Sequence, residues 1–146
     1  MNTPEIISLV AITLSILIFA WQVNQSNKQS KLQNFTHYTQ RYQDILVNLP
    51  TNINSKNFSI DELKTDEKEH LYRWLRAYID LCSEEFYLNQ NKLIDSYVWR
   101  LWGSGMTDFF NKPAFYQTWN TIQENDTYGK EFKKFIDQSK NNISNV

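Results

Sequence analysis

Cysteine, glycine and proline are all scarce in this chain. Its 146 residues include one cysteine, three glycines and three prolines. The single cysteine, Cys82, excludes a disulfide within the chain and the paired-cysteine patterns of zinc sites. So few helix breakers favour long helices over a sheet of many strands. We therefore expect an all-α fold in which Cys82 is a small core residue.

Catalytic signatures are missing as well. The sequence contains no P-loop, no GxSxG, no HExxH and no CxxC motif. The two histidines, His37 and His70, lie on different predicted helices, and no nucleophile or carboxylate is placed to pair with either. We interpret both as surface or capping residues. We predict that the protein is not an enzyme and uses no cofactor or metal.

The chain has no excess of positive charge. Lys and Arg total 15 against 16 Asp and Glu, and the formal net charge is -1. Every basic residue follows position 27, and Glu5 is the only acid before it. A protein that coats nucleic acid needs a basic surplus to meet the phosphates. Bulk nucleic-acid binding is therefore excluded, although a small local basic site is not.

One long uncharged run stands out near the N-terminus, from Ile6 to Val23. As a helix this run is roughly 27 Å long, close to the ~30 Å hydrocarbon core of a bilayer. A cleaved signal peptide would have basic residues before the run and small residues at a cleavage site. Here only Glu5 precedes the run and Trp21 lies near its end. We predict an uncleaved transmembrane anchor over residues 1–27.

Flanking charges predict the orientation of this anchor. Glu5 precedes the apolar run, whereas Lys28, Lys31 and Arg41 follow it. The positive-inside rule then places residues 28–146 in the cytoplasm and the N-terminus outside. We expect a single-pass protein of a bacterial inner membrane.

Beyond the anchor, apolar residues recur every three or four positions, which is the spacing of helices that face a core. The first stripe continues the membrane helix up to Pro50, because the residue before a proline avoids the α region. Further stripes predict helices over about 66–89, 94–110 and 113–123, and a last helix that carries Phe132 and Phe135. These elements with short connections predict a compact cytoplasmic bundle of about four or five helices.

Capping residues predict where these helices begin. Ser59 to Glu62 has the form of a capping box and is expected to open one short turn. Thr65 is expected to cap the second long helix, and Asp126 or Thr127 the last one. The tail from position 139 to 146 is expected to fray.

Two adjacent acids on the second long helix differ in their predicted surroundings. On a helical wheel Glu84 faces outward with Arg73, whereas Glu85 falls on the apolar side near Tyr78 and Cys82. Burial of an unpaired carboxylate is costly, so Glu85 needs a donor such as a Trp indole N–H or a helix N-terminus. We interpret Glu85 as a satisfied polar group that orients the helices. A catalytic acid would want a second carboxylate nearby, and none is predictable.

Arginines beside aromatic residues form the candidate ligand site. The arginine guanidinium can donate two hydrogen bonds to one phosphate group, and aromatic rings can stack on nucleotide bases. The competing interpretation is an ordinary solvated face on which Arg76 and Asp80 form an i,i+4 ion pair. The candidate ligand-binding residues are Arg73, Arg76, Trp99 and Arg100.

The second half of the chain carries a recognisable set of aromatic positions. The pattern is Trp99-x-x-Trp102-x-x-Gly105-Met106, then Phe110-x-x-Pro113-x-Phe115-x-x-x-Trp119, then Tyr128-x-x-Glu131-Phe132-x-x-Phe135-Ile136. Over about residues 66–138 this pattern resembles a family of small bacterial proteins of unknown function. Those proteins have one N-terminal membrane helix and a helical cytoplasmic domain. Because the pattern consists of core positions, the resemblance implies a fold rather than an activity.

In size and layout the chain also resembles, more loosely, the membrane effectors of type III CRISPR systems. In that group a short N-terminal membrane helix precedes a cytoplasmic domain that binds cyclic tetra-adenylate as a tetramer. The resemblance carries no motif that maps onto individual residues here. It implies a homo-oligomer, such as a tetramer, that binds a cyclic oligoadenylate.

Two functions are compatible with these observations. The first is a membrane-anchored sensor-effector in antiviral CRISPR defence, whose cytoplasmic domain binds a cyclic oligoadenylate and alters the membrane through the transmembrane helix. Such a ligand would bias a two-state arrangement of the helices. The alternative is a non-enzymatic, membrane-tethered adaptor or structural subunit that binds a partner protein.

Overall fold

Five α-helices make up most of the structure. The computed structural model describes residues 2–124 and 128–141, without the side chains of 140 and 141. No strand occurs in these ranges, and the predicted all-α fold, a long apolar helix followed by a helical bundle, is confirmed. The helices are α1 (Thr3–Leu46), α2 (Thr65–Gln90), α3 (Ser96–Phe110), α4 (Pro113–Ile122) and α5 (Lys130–Asn141).

Helix α1 is a single unbroken helix of 44 residues. One 18-residue window in it has a mean hydropathy of 2.3 and is not buried at all, so this helix is long and apolar enough to cross a bilayer. Hydroxyl groups in the apolar run donate to carbonyl oxygens four residues earlier, as in Ser8 to Pro4 and Thr13 to Leu9. The predicted boundary between residues 27 and 28 lies inside α1 and stays a prediction.

The core of the bundle is organised around α2. Leu75, Ile79 and Cys82 of this helix are completely buried, which confirms the predicted place of the cysteine. Large side chains from the last three helices pack against it, since Phe110, Trp119 and Ile136 are also completely buried, and Ile45 and Ile60 join the same core from the first part of the chain. Burial of each large apolar side chain contributes about 1.5–3 kcal/mol, so this core holds the second half of the chain together.

The N-terminus of α2 differs from the prediction by one residue. Helix α2 begins at Thr65 itself, and Lys64 occupies the capping position. The backbone N–H of Lys64 donates to the Glu67 carboxylate at 3.1 Å. An acid in the first turn therefore closes this helix end, where negative charge is favourable, and Thr65 is not the cap. The short turn predicted after Ser59 is present as one 3-10 turn, Ile60–Glu62.

Helix α3 begins two residues later than predicted. The Asp95 carboxylate accepts a hydrogen bond from the Tyr97 backbone N–H at 2.8 Å, which makes Asp95 the cap and Ser96 the first helical residue. Ile94 is buried just before this cap. The predicted cap at Asp126 or Thr127 lies outside the described residues. The tail 139–146 was expected to fray, but residues 139–141 belong to α5 and Ser139 is buried, while residues 142–146 lie outside the described residues.

The link between α2 and α3 is a Schellman motif. The backbone N–H of Leu93 donates to the Leu88 carbonyl at 2.9 Å, and that of Lys92 donates to the Asn89 carbonyl at 3.0 Å. Lys92 has a φ of 58°, a left-handed conformation usually taken by glycine. The Asn34 side-chain amide of α1 donates to the Leu93 carbonyl at 2.9 Å. The link is thereby held against α1.

Candidate functional site

Arg73 and Arg76 lie on the exposed face of α2. The Arg73 Nε–H donates to the Glu69 carbonyl of the same helix at 3.4 Å. Arg76 Nε lies 3.9 Å from the Asp80 carboxylate, and Asp80 also accepts a hydrogen bond from the Tyr128 hydroxyl at 2.6 Å. The ion pair between Arg76 and Asp80, which the competing interpretation predicts, is therefore present. Arg73 forms no ion pair with an acid among the described residues.

Trp99 and Arg100 form a second group on α3. The Trp99 ring is half-buried, and its centroid lies 5.9 Å from that of Phe86 and 5.7 Å from that of Phe135. The Arg100 guanidinium lies 5.7 Å from the centroid of the Tyr97 ring. On α2, Arg73 precedes Phe86 by about three and a half turns, or roughly 20 Å. The predicted ligand residues therefore fall into two separate groups on one chain.

Glu84 is exposed, as predicted, but it also contacts α1. The Arg41 guanidinium of α1 binds both of its carboxylate oxygens, with Nη2 at 3.2 Å from Oε1. The Tyr38 hydroxyl donates to Glu84 Oε2 at 3.2 Å. The hydrogen bond and charge of Arg41 lower the pKa of Glu84. The helical wheel of α2 alone could not predict this contact, because it does not show that α1 passes along this face.

Glu85 lies on the apolar side, as predicted, and is only 6% exposed. In the part of the chain that the structure describes, no hydrogen bond or ion pair reaches its carboxyl group, so the expected donor is not found. Burial raises the pKa of Glu85 to about 8. Arg41, whose charge lowers this pKa, is already paired with Glu84. The raised pKa favours the protonated form of this carboxyl group at neutral pH, and the group has no partner among the described residues.

Glu85 borders a cavity of about 320 Å³ between α1, α2 and α3. Thr39 of α1 also lines it, and the buried hydroxyl of this residue has no hydrogen-bond partner in the described structure. Gly105 of α3 leaves open space, because a Cβ there would meet no atom within 4 Å. The other lining residues are apolar or aromatic: Phe35, Tyr42, Tyr78, Leu101, Trp102, Met106 and Phe109.

Sequence reasoning did not find this cavity. Its lining comes from three helices, and the order in which helices pack cannot be read from the period of any one of them. The one usable signal was an acid, Glu85, on an otherwise apolar helix face. A buried carboxyl without a partner is costly, and it therefore marks a place where another group can be accommodated.

Comparisons with known proteins add no assignment. No family model, no curated protein and no solved structure matches the chain. Both resemblances therefore stay predictions, and the function has to be argued from the geometry of the described residues.

Proposed function

We propose that this protein is a membrane-anchored sensor-effector, in which a ligand on the C-terminal helical domain acts on the membrane through α1. The observation that supports this proposal most directly is the continuity of α1. One helix carries the apolar run and, roughly 24–29 Å beyond its end at Val23, the cavity residues Thr39 and Tyr42. A change in packing at the cavity therefore tilts or rotates the same rigid element that enters the bilayer.

The proposed orientation has the apolar run crossing a bacterial inner membrane with the helical domain in the cytoplasm. Lys28 and Lys31 of α1 line one groove together with Lys92 of the α2–α3 link. This groove lies next to the end of the apolar run, where cytoplasmic basic residues meet anionic headgroups. Three lysines from two parts of the chain support the orientation better than the two on α1 alone.

For the ligand we retain a cyclic oligoadenylate, in particular cyclic tetra-adenylate, as a signal of antiviral CRISPR defence. The proposed contacts are Arg73, Arg76, Trp99 and Arg100. Because the arginine groups of α2 and α3 are separated on one chain, we propose that they reach the ligand from different subunits of a homo-oligomer, such as a tetramer. A symmetric ligand on a symmetry axis then offers each subunit an equivalent phosphate.

Ligand binding is tested by thermal unfolding of the full-length protein in a maltoside detergent. A ligand that binds only the folded state raises the midpoint, so cyclic tetra-adenylate should raise it and linear tetra-adenylate should not. Arg73→Ala with Arg76→Ala should remove the shift, whereas Lys56→Ala, in an exposed loop, should retain it. An absent shift in the folded protein contradicts this ligand.

Transmission through α1 has its own test. Insertion of two residues after Gln25 rotates the helical domain by about 200° relative to the apolar run, and insertion of four residues by only about 40°. Dye release from proteoliposomes on addition of the ligand should be lost with the two-residue insertion and largely retained with four. Equal release from both variants contradicts transmission through a rigid helix.

An adaptor function is the second candidate, and one surface feature favours it. Tyr97 and Leu101 of α3 are 60% and 56% exposed, which is a high exposure for apolar side chains on neighbouring turns. Self-association separates the two functions. A stable tetramer of the full-length protein favours the sensor, and a monomer that captures another membrane protein favours the adaptor.

A further inference from the structure

We propose that the cavity between α1, α2 and α3 binds a small cationic amine, with its ammonium group held between the Glu85 carboxylate and the surrounding aromatic rings. This site is separate from the arginine groups proposed for the nucleotide. The proposal therefore does not depend on the cyclic oligoadenylate.

The aromatic lining is the first observation that supports an ammonium ligand. Phe35 and Trp102 are stacked with their centroids 6.1 Å apart. Tyr42, Tyr78 and Phe109 form a second group, with centroid distances between 5.1 and 6.4 Å. Cations are attracted to aromatic faces within about 6 Å, and quaternary ammonium groups are recognised in this way. Five rings around one cavity suit such a group.

The charge around Glu85 is the second observation. The positive charge of Arg41 is taken up by Glu84, so it does not neutralise a Glu85 carboxylate. Tyr42, Tyr78 and Cys82 remain uncharged, since burial raises the pKa of each of them.

Tyr38, also near the acid pair, has a raised pKa as well and stays neutral. The residues of α3 that line the cavity carry no charge. An ionised Glu85 therefore calls for one positive charge, and an anion such as phosphate would be repelled.

The size and openness of the cavity agree with a small ligand. Its volume of about 320 Å³ lies at the lower end of the ~300–1,000 Å³ that ligand pockets occupy. Phe35 is 38% exposed and Leu101 is 56% exposed, so the cavity opens to solvent between α1 and α3.

The position along α1 favours a free amine over the amine of a lipid headgroup. Phe35 lies roughly 18 Å beyond the end of the apolar run at Val23. A headgroup at the bilayer surface would have to leave the interface to reach Glu85. We therefore propose a soluble amine as the occupant of the cavity, and a lipid headgroup is tested as the alternative.

The test uses choline and its uncharged isostere 3,3-dimethyl-1-butanol, which differ in charge and hardly in shape. Binding is measured by calorimetric titration of the full-length protein in a maltoside detergent, which contains no amine. Choline should bind at least tenfold more tightly than 3,3-dimethyl-1-butanol. Choline keeps its charge at every pH, so its affinity should rise up to about pH 8 as Glu85 ionises, and then level off. Equal affinity for both compounds, or no binding of choline, overturns the proposal.

Matched variants locate the site. Glu85→Gln should weaken choline binding at least tenfold and abolish its pH dependence, while Glu69→Gln, an exposed acid on the same helix, should bind as the native protein does. Gly105→Met should block the cavity, and Gly103→Ala is its control, because a Cβ at Gly103 makes only ordinary contact with Trp99. Unchanged choline affinity in both Glu85→Gln and Gly105→Met overturns the proposal.

Three further measurements separate the possible outcomes. Circular dichroism shows whether each variant is folded. If Glu85→Gln does not fold, choline binding by Gly105→Met still decides the test. In nanodiscs, choline affinity should be the same with and without phosphatidylethanolamine. Weaker binding with this lipid identifies the headgroup as the occupant and overturns the soluble amine. Binding of cyclic tetra-adenylate to Glu85→Gln is measured as well. If this variant binds the nucleotide but not choline, the amine site and the proposed nucleotide site are independent.

Discussion

Glu84 and Glu85 are neighbours on α2, yet their carboxyl groups have opposite electrostatic surroundings. Glu84 binds Arg41 of α1, which lowers its pKa, whereas burial raises the pKa of Glu85 to about 8. A rotation of about 100° per residue separates the two side chains around the helix. One acid therefore ties α2 to α1, and the other places an unpartnered carboxyl group at the cavity beside it.

We expect the Arg41–Glu84 pair to couple the two helices modestly. Both side chains are partly exposed, at 35% and 46%, so a double-mutant cycle of Arg41→Gln and Glu84→Gln should give a coupling energy of about 0.5–1 kcal/mol. The cycle is measured by chemical unfolding in maltoside micelles. This contribution is present above pH 4.5 and is lost as the pH falls through the lowered pKa of Glu84. Strictly additive single variants would show that the pair does not join α1 to α2.

Glu85 should make the protein less stable as the pH rises. Its carboxyl group ionises near pH 4.5 in the unfolded chain but only near pH 8 in the folded one, so the unfolding free energy should decrease between these values. The slope approaches about 1.4 kcal/mol per pH unit at most. Unfolding curves across this range measure it. Glu85→Gln should remove most of this pH dependence of the unfolding free energy, whereas Glu69→Gln should keep it. If the slope remains in Glu85→Gln, another titratable group causes it.

Lys92→Gly should stabilise the protein. Lys92 holds the left-handed position of the Schellman motif with a φ of 58°, where a side chain is unfavourable by about 1 kcal/mol and glycine is not. Thermal unfolding in micelles measures the gain. The same substitution at Gln90, the last residue of α2, should destabilise by about 0.5–1 kcal/mol, because glycine loses more backbone freedom in a helix. Equal effects at both positions would show that the conformation of Lys92 is not strained.

Single cysteines test the proposed orientation. Cys82 is completely buried, so the native protein should not react with a membrane-impermeant maleimide while it is folded. In spheroplasts, a cysteine at Asn2 should be labelled directly. A cysteine at Lys56, in the exposed loop after α1, should be labelled only after the membrane is permeabilised. The reverse pattern would place the helical domain outside.

Local features of the sequence predicted the helices well. The uncharged run from Ile6 to Val23 and the three-and-four spacing of apolar residues are properties of neighbouring positions, and they are enough to indicate a helix and its buried face. Helix ends were less accurate, as at Thr65 and Asp95, because several adjacent side chains compete for the same free backbone N–H groups.

The sequence by itself determined that the chain is all-helical, that it begins with a helix apolar enough for a bilayer, and that Glu85 belongs to an apolar face. Only the tertiary structure decided which groups surround that face. Arg41 reaches Glu84 from a distant part of the chain, and the cavity exists because α1 and α3 pack beside α2 without filling the space next to Gly105. Contacts between helices depend on how side chains of different helices fit together, and no periodicity within one helix encodes that fit.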